Sequence, residues 1–430
     1  MEKSRCFIVD PVCGFDYGHN PHQLTYFRNY FEERDLTVVA CCAFSYPQRA
    51  AVEAMFEPSF SYYYEEFIPL TDYEGLSVQQ EREIRARLDE LVSVEKKSLP
   101  ADELEAIAIA DWLNFFSKHQ ISAEDRIFHP SVDYYGAAGL LKALEIAFEN
   151  NTPPMVHLRF IGVMENASKT ISEPLRMLRY YLRRLSNSKN IELSAESSLY
   201  ANYLSEYFGR KVSWSLFPLK EQALPINNDD EFVVYLGGAG REDKGFWRLL
   251  KIATRYKQLY RDDRVKFVTK RVGWNEEKWH AYEMSQMLAA PNIEVLPRIL
   301  SSDRMLEEYK RCHLLIAPYD FETYRFRGSA MTQEGIVKAR PMLLSSLTGF
   351  HDLGETLASV HNCAHDDEFC DKIHAYYMMD RTELYNEAKS TAVEFEGLSF
   401  GTLANVLALD EKHSTPNKTS NKATREEVMS

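Results

Sequence analysis

A chain of 430 residues has room for two or three domains, and 45% hydrophobic with 13% aromatic residues is enough to fill their cores. The formal net charge of -14 excludes a general nucleic-acid binder, whose affinity rests on neutralising phosphates. No run of about 20 apolar residues is present to form a membrane-spanning helix.

The opening residues lack a signal-peptide core and enter a strand at Cys6 to Val9, which points to a cytoplasmic chain. Seven scattered cysteines, some of them in the apolar runs at Cys6, Cys41 and Cys42, suit buried thiols in a reducing compartment. A loop from Asp10 to Asn20 carries Gly14 and Gly18. Pro21 then suits the first turn of a helix reaching about Arg34, with Leu24, Phe27, Tyr30 and Phe31 on one side. Leu36 to Cys41 reads as the second strand. Strand, glycine-containing loop, helix and strand begin a doubly wound sheet, although the two glycines do not make the GxGxxG fingerprint. The aromatic run Phe60, Tyr62, Tyr63, Tyr64 and Phe67 reads as a packed loop, or else as one that meets sugars or a membrane surface.

A strongly helical segment is predicted from Val78 to His119, amphipathic at its end through Leu104, Ile107, Ile109 and Trp112. Strands are then predicted at 126–129, 154–160, 191–195 and 212–216, alternating with helices at 136–148, about 171–185 and about 196–208. The prolines, asparagines and acids of 218–230 lack apolar periodicity and read as a linker. The pattern restarts with strands at 232–236, 265–268, 293–296, 314–317 and 342–345, a helix beginning at Phe246, another capped by Asp366 or Asp367, and another over about 382–394. The expected organisation is an N-terminal Rossmann-like domain (1–217), the linker (218–230), a C-terminal Rossmann-like domain (231–395), a return segment (396–412) and a disordered polar tail (413–430).

Two stretches carry chemistry. The first is Gly237-Gly238-Ala239-Gly240-Arg241-Glu242-Asp243-Lys244-Gly245, where glycines admit a ligand to the backbone beside two cations and a helix N-terminus. The P-loop spacing is missing. The second follows the strand at 314–317: Tyr324, Arg325, Phe326, Arg327, Gly328, then Ser329 as N-cap of a helix from Ala330 to about Arg340, stopped by Pro341. Helix amides and two guanidinium forks suit an anion, and Glu334, one turn on, suits sugar hydroxyls attached to it. Lys270 and Arg271 lie at the same sheet edge. In open α/β sheets ligands bind outside the carboxyl ends of the strands, so these loops suit one diphosphate. In the first domain His129 ends a strand, where it either polarises a substrate group or is a satisfied structural histidine. His157 and Arg159 share one sheet face, and Arg159 or His157 could serve the same edge, as could the loop carrying Gly18 and His19. The set His361, Cys363, His365 and Cys370 has zinc-ligand types, but its spacing matches no standard finger and fits an ordinary helix start.

Taken together, Gly237–Gly245 and Arg325–Glu334 resemble the nucleotide-sugar-dependent glycosyltransferases of GT-B fold, specifically the retaining, family-4-like group. The resemblance implies an α/β protein with two Rossmann-like domains facing a cleft. Lys244-Gly245 matches the family's Lys-Gly, Arg241 is its arginine partner, and Gly328, Ser329 and Ala330 match the turn over the phosphates. Glu334 matches the second glutamate of a paired motif, while Phe326 stands where the first is expected. The implied catalytic residues are His129, Arg241, Lys244 and Glu334. Gly237, Gly238, Gly240, Lys270, Tyr324, Arg325, Arg327, Gly328, Ser329 and Ala330 would bind the donor, and Gly18, His19 and Arg159 would lie on the acceptor side. The implied reaction is metal-independent and needs no cofactor beyond a nucleotide sugar as co-substrate. Its acceptor would be a glycan or a lipid-linked sugar, in polysaccharide or glycoconjugate biosynthesis, with peripheral membrane association through the aromatic loop as one option. An epimerase of the same fold, a silent nucleotide-sugar-binding homologue and a periplasmic-type binding protein are the other readings.

Overall fold

The computed structural model describes residues 4–14, 16, 19–61, 101–162, 173–184, 190–227, 230–298 and 300–407. Two sheets organise it. The first contains β1 (Arg5–Val9), β2 (Thr37–Ala43), β3 (Phe56–Phe60), β4 (Arg126–His129), β5 (Met155–Phe160), β6 (Ile191–Ala195) and β7 (Ser213–Trp214), ordered β3-β2-β1-β4-β5-β6-β7. The second contains β8 (Phe232–Leu236), β9 (Val265–Lys270), β10 (Ile293–Leu296), β11 (Leu314–Ala317), β12 (Met342–Ser345) and β13 (Val360–Cys363), ordered β10-β9-β8-β11-β12-β13.

Helices cross between the strands. In the first unit they are α1 (His19–Glu32), α2 (Gln48–Ala54), α3 (Ala101–His119), α4 (Tyr134–Ala147), α5 (Glu173–Arg184) and α6 (Ser198–Phe208). In the second they are α7 (Phe246–Tyr260), α8 (Trp274–Trp279), α9 (Ala281–Ala289), α10 (Ser302–Arg311), α11 (Phe321–Tyr324), α12 (Ala330–Val337), α13 (His351–Thr356) and α14 (Asp366–Met378). A long helix, α15 (Arg381–Leu407), follows them.

Side chains alternate across each strand, and both faces are covered, so the strands read as unbroken apolar runs. Phe7 and Val9 of β1 pack with Trp112, Phe115 and Leu140 on one face. Cys6 and Ile8 pack with Leu24, Phe27 and Phe31 on the other. The strand order reverses between β1 and β4 in the first sheet and between β8 and β11 in the second, which opens a crevice at each reversal.

Several expectations are corrected. The sequence reading missed α2 and β3, because Pro58 sits inside the Phe56–Phe60 run; β3 is an edge strand, where proline is tolerated. β7 is shorter than the 212–216 expected, at two residues. α12 ends at Val337 rather than near Arg340, because Ala339 takes a left-handed φ of 56°. Arg340 instead donates to the backbone carbonyls of Tyr309, Leu224 and Pro225, tying the 224–225 segment to the second unit. α14 is capped not by Asp366 or Asp367 but by His365, whose Nδ1 accepts from the Glu368 amide.

The helix expected to stop near Glu394, with a separate return segment after it, is one helix as far as Leu407. Leu384 and Phe395 lie in the core of the second unit and Leu403 in that of the first, so packing on both carries the helix through Gly397 and Gly401. Tyr62, Tyr63, Tyr64, Phe67, Gly18 and the tail from 413 lie outside the described residues.

One close helix crossing tests this packing. A Cβ on Gly139 of α4 would stand 2.5 Å from Ala108 Cβ and 2.9 Å from the Ala108 backbone carbon of α3. Gly139→Ala should therefore destabilise the fold by about 1–3 kcal/mol, read as a lower denaturant midpoint at unchanged slope. A wild-type midpoint would show that the two helices do not approach so closely.

Candidate functional site

The loop after β8 is built for close approach. Gly238 and Gly245 take positive φ, at 83° and 78°. A Cβ on Gly240 would stand 2.2 Å from the Lys270 carbonyl oxygen, and one on Gly245 2.3 Å from that of Pro318. Absent side chains thus let the loops after β8, β9 and β11 pack edge to edge. Lys244 ends a single 3-10 turn (Glu242–Lys244), and its Nζ lies across Gly238, 5.8 Å from the centre of the Tyr319 ring.

The first turn of α12 completes the wall. Ser329 Oγ accepts from the Thr332 amide at 3.3 Å, as an N-cap does, and the Tyr319 hydroxyl lies 3.4 Å from it. The Met331 side chain packs against Gly237. Glu334 is half-buried, with the Tyr309 hydroxyl 3.5 Å from its Oε2. Burial raises its carboxyl above the ordinary range, opposed by the nearby Lys338 and Lys244 ammoniums.

The electrostatics of this corner are unbalanced. Neither Lys244 nor Lys270 is paired with a carboxylate among the described residues. Burial, with Arg241 and Lys270 nearby, pulls Lys244 down to about 8, and burial also lowers Lys270. Two half-buried cations that form no ion pair among the described residues, at a glycine loop and beside a helix N-terminus, suit a multivalent anion.

The structure brings together Gly237, Gly238, Gly240, Lys244, Lys270, Ser329, Ala330 and Glu334 from the set read in the sequence. It places others differently. Arg241 is not a free cation: its guanidinium donates to Asp243 Oδ1 at 2.8 Å and to the Tyr324 hydroxyl at 3.0 Å. Arg325 is exposed, its guanidinium over the rings of Phe321 and Phe326 rather than beside the lysines. Arg327 is half-buried near Tyr324. Gly328 turns away from the lysines: its amide donates 2.8 Å to Glu196 Oε1, in the first unit.

At the facing edge, Arg159 is fully buried and donates to the carbonyls of Pro130 and Ser215, which makes it a clamp on the 130–133 loop rather than a surface contact. His157 faces Ser194 at 2.7 Å, and burial pushes it down to about 3, so it stays neutral. His129 is also 0% exposed, with Nε2 3.5 Å from Asp133 Oδ2. Of His19 only the backbone is described, as the first residue of α1. His361, Cys363, His365 and Cys370 do not converge: His365 is a helix cap and Cys370 Sγ lies against the Ile252 carbonyl.

Sequence reasoning missed Glu196 and Ser197. Their signal was present, since they follow β6 directly at the edge that drew attention to His129 and Arg159. An open crevice of about 820 Å³ adjoins this corner at Gly245 and Tyr319, lined by Glu242, Asp243, Glu276 and Asp320 as well as Arg248 and Lys251. With Arg248 bound to Asp366 and Ser345, that crevice has no excess positive charge, and the lysine corner is the stronger anion site.

No protein-family model matches the chain, and no curated protein matches it. Solved structures do. A glycosyltransferase from Rickettsia africae ESF-5 is similar at 9% identity, over 95% of this chain and 98% of that one, with a TM-score of 0.60. Anabaena Alr3699/HepE, in complex with UDP and glucose, is similar at 12% identity over 94% and 99%, with a TM-score of 0.58. The fold is GT-B. TarM is similar at 15% identity with a TM-score of 0.52, and there the match takes in 70% of this chain and 58% of the TarM chain. Identities this low speak to the GT-B architecture alone.

The depressed lysine gives a pH test. Lys244 carries its charge below about pH 8 and loses it above. Affinity for a nucleoside diphosphate, with UDP as probe, should fall about three- to tenfold between pH 7 and 9 in calorimetric titration, and Lys244→Arg should flatten the profile. Because the folded pKa lies below the unfolded 10.5, burying Lys244 costs stability below pH 8, and that cost fades between 8 and 10.5. A flat wild-type binding profile would show that Lys244 does not meet the anion.

Proposed function

We propose that this chain is a glycosyltransferase that moves a sugar from a nucleotide-diphosphate sugar to a glycan or lipid-linked acceptor. The observation that carries the reading is the pair of half-buried lysines, Lys244 and Lys270, that form no ion pair among the described residues and lie at the Gly237–Gly245 loop in a GT-B chain. That HepE is in complex with UDP and glucose supports a nucleotide-sugar donor.

The chemistry follows from charge. When the bond between the sugar's anomeric carbon and the diphosphate oxygen breaks, the electron pair leaves with the diphosphate. Lys244, Lys270 and the amides at the start of α12 would neutralise the charge that develops there. No further cation is required of that site, and we infer a metal-independent reaction. Glu334, beside Lys244, accepts hydrogen bonds from the donor's ribose hydroxyls. Tyr324 and Asp243 hold Arg241 at the rim, so its contribution is to orient rather than to meet the phosphates directly. The motif resemblance supports retention of configuration and a place in polysaccharide or glycoconjugate assembly. Water exclusion from the closed cleft protects the donor from hydrolysis. His129, buried with Nε2 3.5 Å from Asp133 Oδ2, leaves contact with the acceptor to groups nearer the cleft.

A thermal-shift panel of UDP-, GDP-, ADP- and dTDP-sugars should raise the unfolding temperature with one nucleotide class. In acceptor screens that donor should be consumed, with Lys244→Ala and Glu334→Ala each lowering turnover at least about a hundredfold. Silence across the whole panel would defeat the reading, and conversion of the donor to an epimer without any acceptor would replace it with an epimerase.

A further inference from the structure

The turn that begins α12 is not held by its own domain alone. Glu196 Oε1, at the carboxyl end of β6, accepts from two amides: Gly162 at 3.0 Å in the first unit and Gly328 at 2.8 Å in the second. Ser197 Oγ donates to the Phe326 carbonyl at 3.1 Å. Peptide 326–328 is therefore gripped by both its carbonyl and its amide. The Phe326 side chain is 7% exposed and belongs to the core of the first unit, with its ring 4.8 Å from that of Tyr203 and 5.3 Å from that of Tyr200.

The fit is close on every side. A Cβ on Gly162 would stand 2.3 Å from the Phe326 carbonyl oxygen, and one on Gly349 2.5 Å from that of Arg327. Beneath Glu196 lies Arg159, buried and with Nη2 unbonded, near enough for the two charges to interact. Residues 326–328 lead directly into Ser329 and the free amides of α12.

We propose that Glu196 and Ser197 are positioning residues that make the anion-binding turn of one domain depend on contact with the other. Closure of the cleft and formation of the diphosphate site are then a single event. With the cleft open, peptide 326–328 loses its grip, Ser329 and the α12 amides lose their orientation, and affinity for the anion drops. The proposal deepens the glycosyltransferase reading and rests on it for the identity of the anion, but its geometry does not require a sugar.

The test uses the full chain and inorganic diphosphate as probe, so that it can fail separately from the donor panel. Hydrogen exchange at the Gly328 amide and small-angle scattering are measured without ligand on wild type, Glu196→Ala, Glu196→Gln and Gly328→Ala. Diphosphate binding is then titrated on each. Glu196→Ala should lose protection at Gly328, enlarge the radius of gyration and weaken diphosphate about tenfold. Glu196→Gln, whose amide oxygen can accept the same two bonds, should restore all three. Gly328→Ala, which puts a Cβ 2.7 Å from Glu196 Oε2, should behave as Glu196→Ala does. A Glu196→Ala chain that keeps Gly328 protected overturns the proposal. So does one that loses protection yet binds diphosphate as wild type, and so does a Glu196→Gln chain that is no better than Glu196→Ala.

Discussion

Parallel pairing constrains everything else in this molecule. Each strand pair in both sheets is parallel, so each strand must be followed by a crossover, and the loops that leave the strands gather on one edge of each sheet. Those are the loops whose helices begin with unsatisfied amides. The glycine loop after β8, the turn into α12 and the Glu196–Ser197 turn after β6 are products of the same rule applied twice. The reversal of strand order between β8 and β11 separates neighbouring helices and leaves room for a ligand between the loops.

Into that room the protein places charge that the fold itself does not neutralise. Partial burial of a lysine that forms no ion pair is a cost to stability, and Lys244 and Lys270 both bear it. Elsewhere cations in similar surroundings are matched: Arg298 and Arg271 share Glu277, Arg248 holds Asp366, and Lys338 meets Glu221. The contrast marks the lysine corner as a candidate anion site. Arg241 belongs to the matched group, since Asp243 answers it at short range.

The two units are joined by unlike devices. Phe326 contributes apolar burial on the order of 2 kcal/mol, and Glu196 and Ser197 add directional bonds that fix one arrangement of the loop. Close to Glu334, Glu221 joins Lys338 of the second unit to the Tyr26 hydroxyl of the first, at 2.6 Å for the latter. The α15 helix spans both cores. These contacts and the long helix together hold the two units to each other.

Apolar runs and turn chemistry made most strands and the glycine loops legible in the sequence, because burial on both faces and positive φ leave local marks in composition. The glycine-rich loop at 237–245 and the Ser329 cap were visible for the same reason. Distant partners leave no local mark. Nothing near Arg241 in the pattern shows that the Tyr324 hydroxyl would meet it, or that Arg159 would turn inward to two carbonyls. Phe326 shows the division most sharply. In the sequence it is an aromatic where a carboxylate was expected. Only the tertiary structure reveals it as the residue by which one domain enters the core of the other, because that role depends on Tyr200 and Tyr203, more than a hundred residues away in the chain.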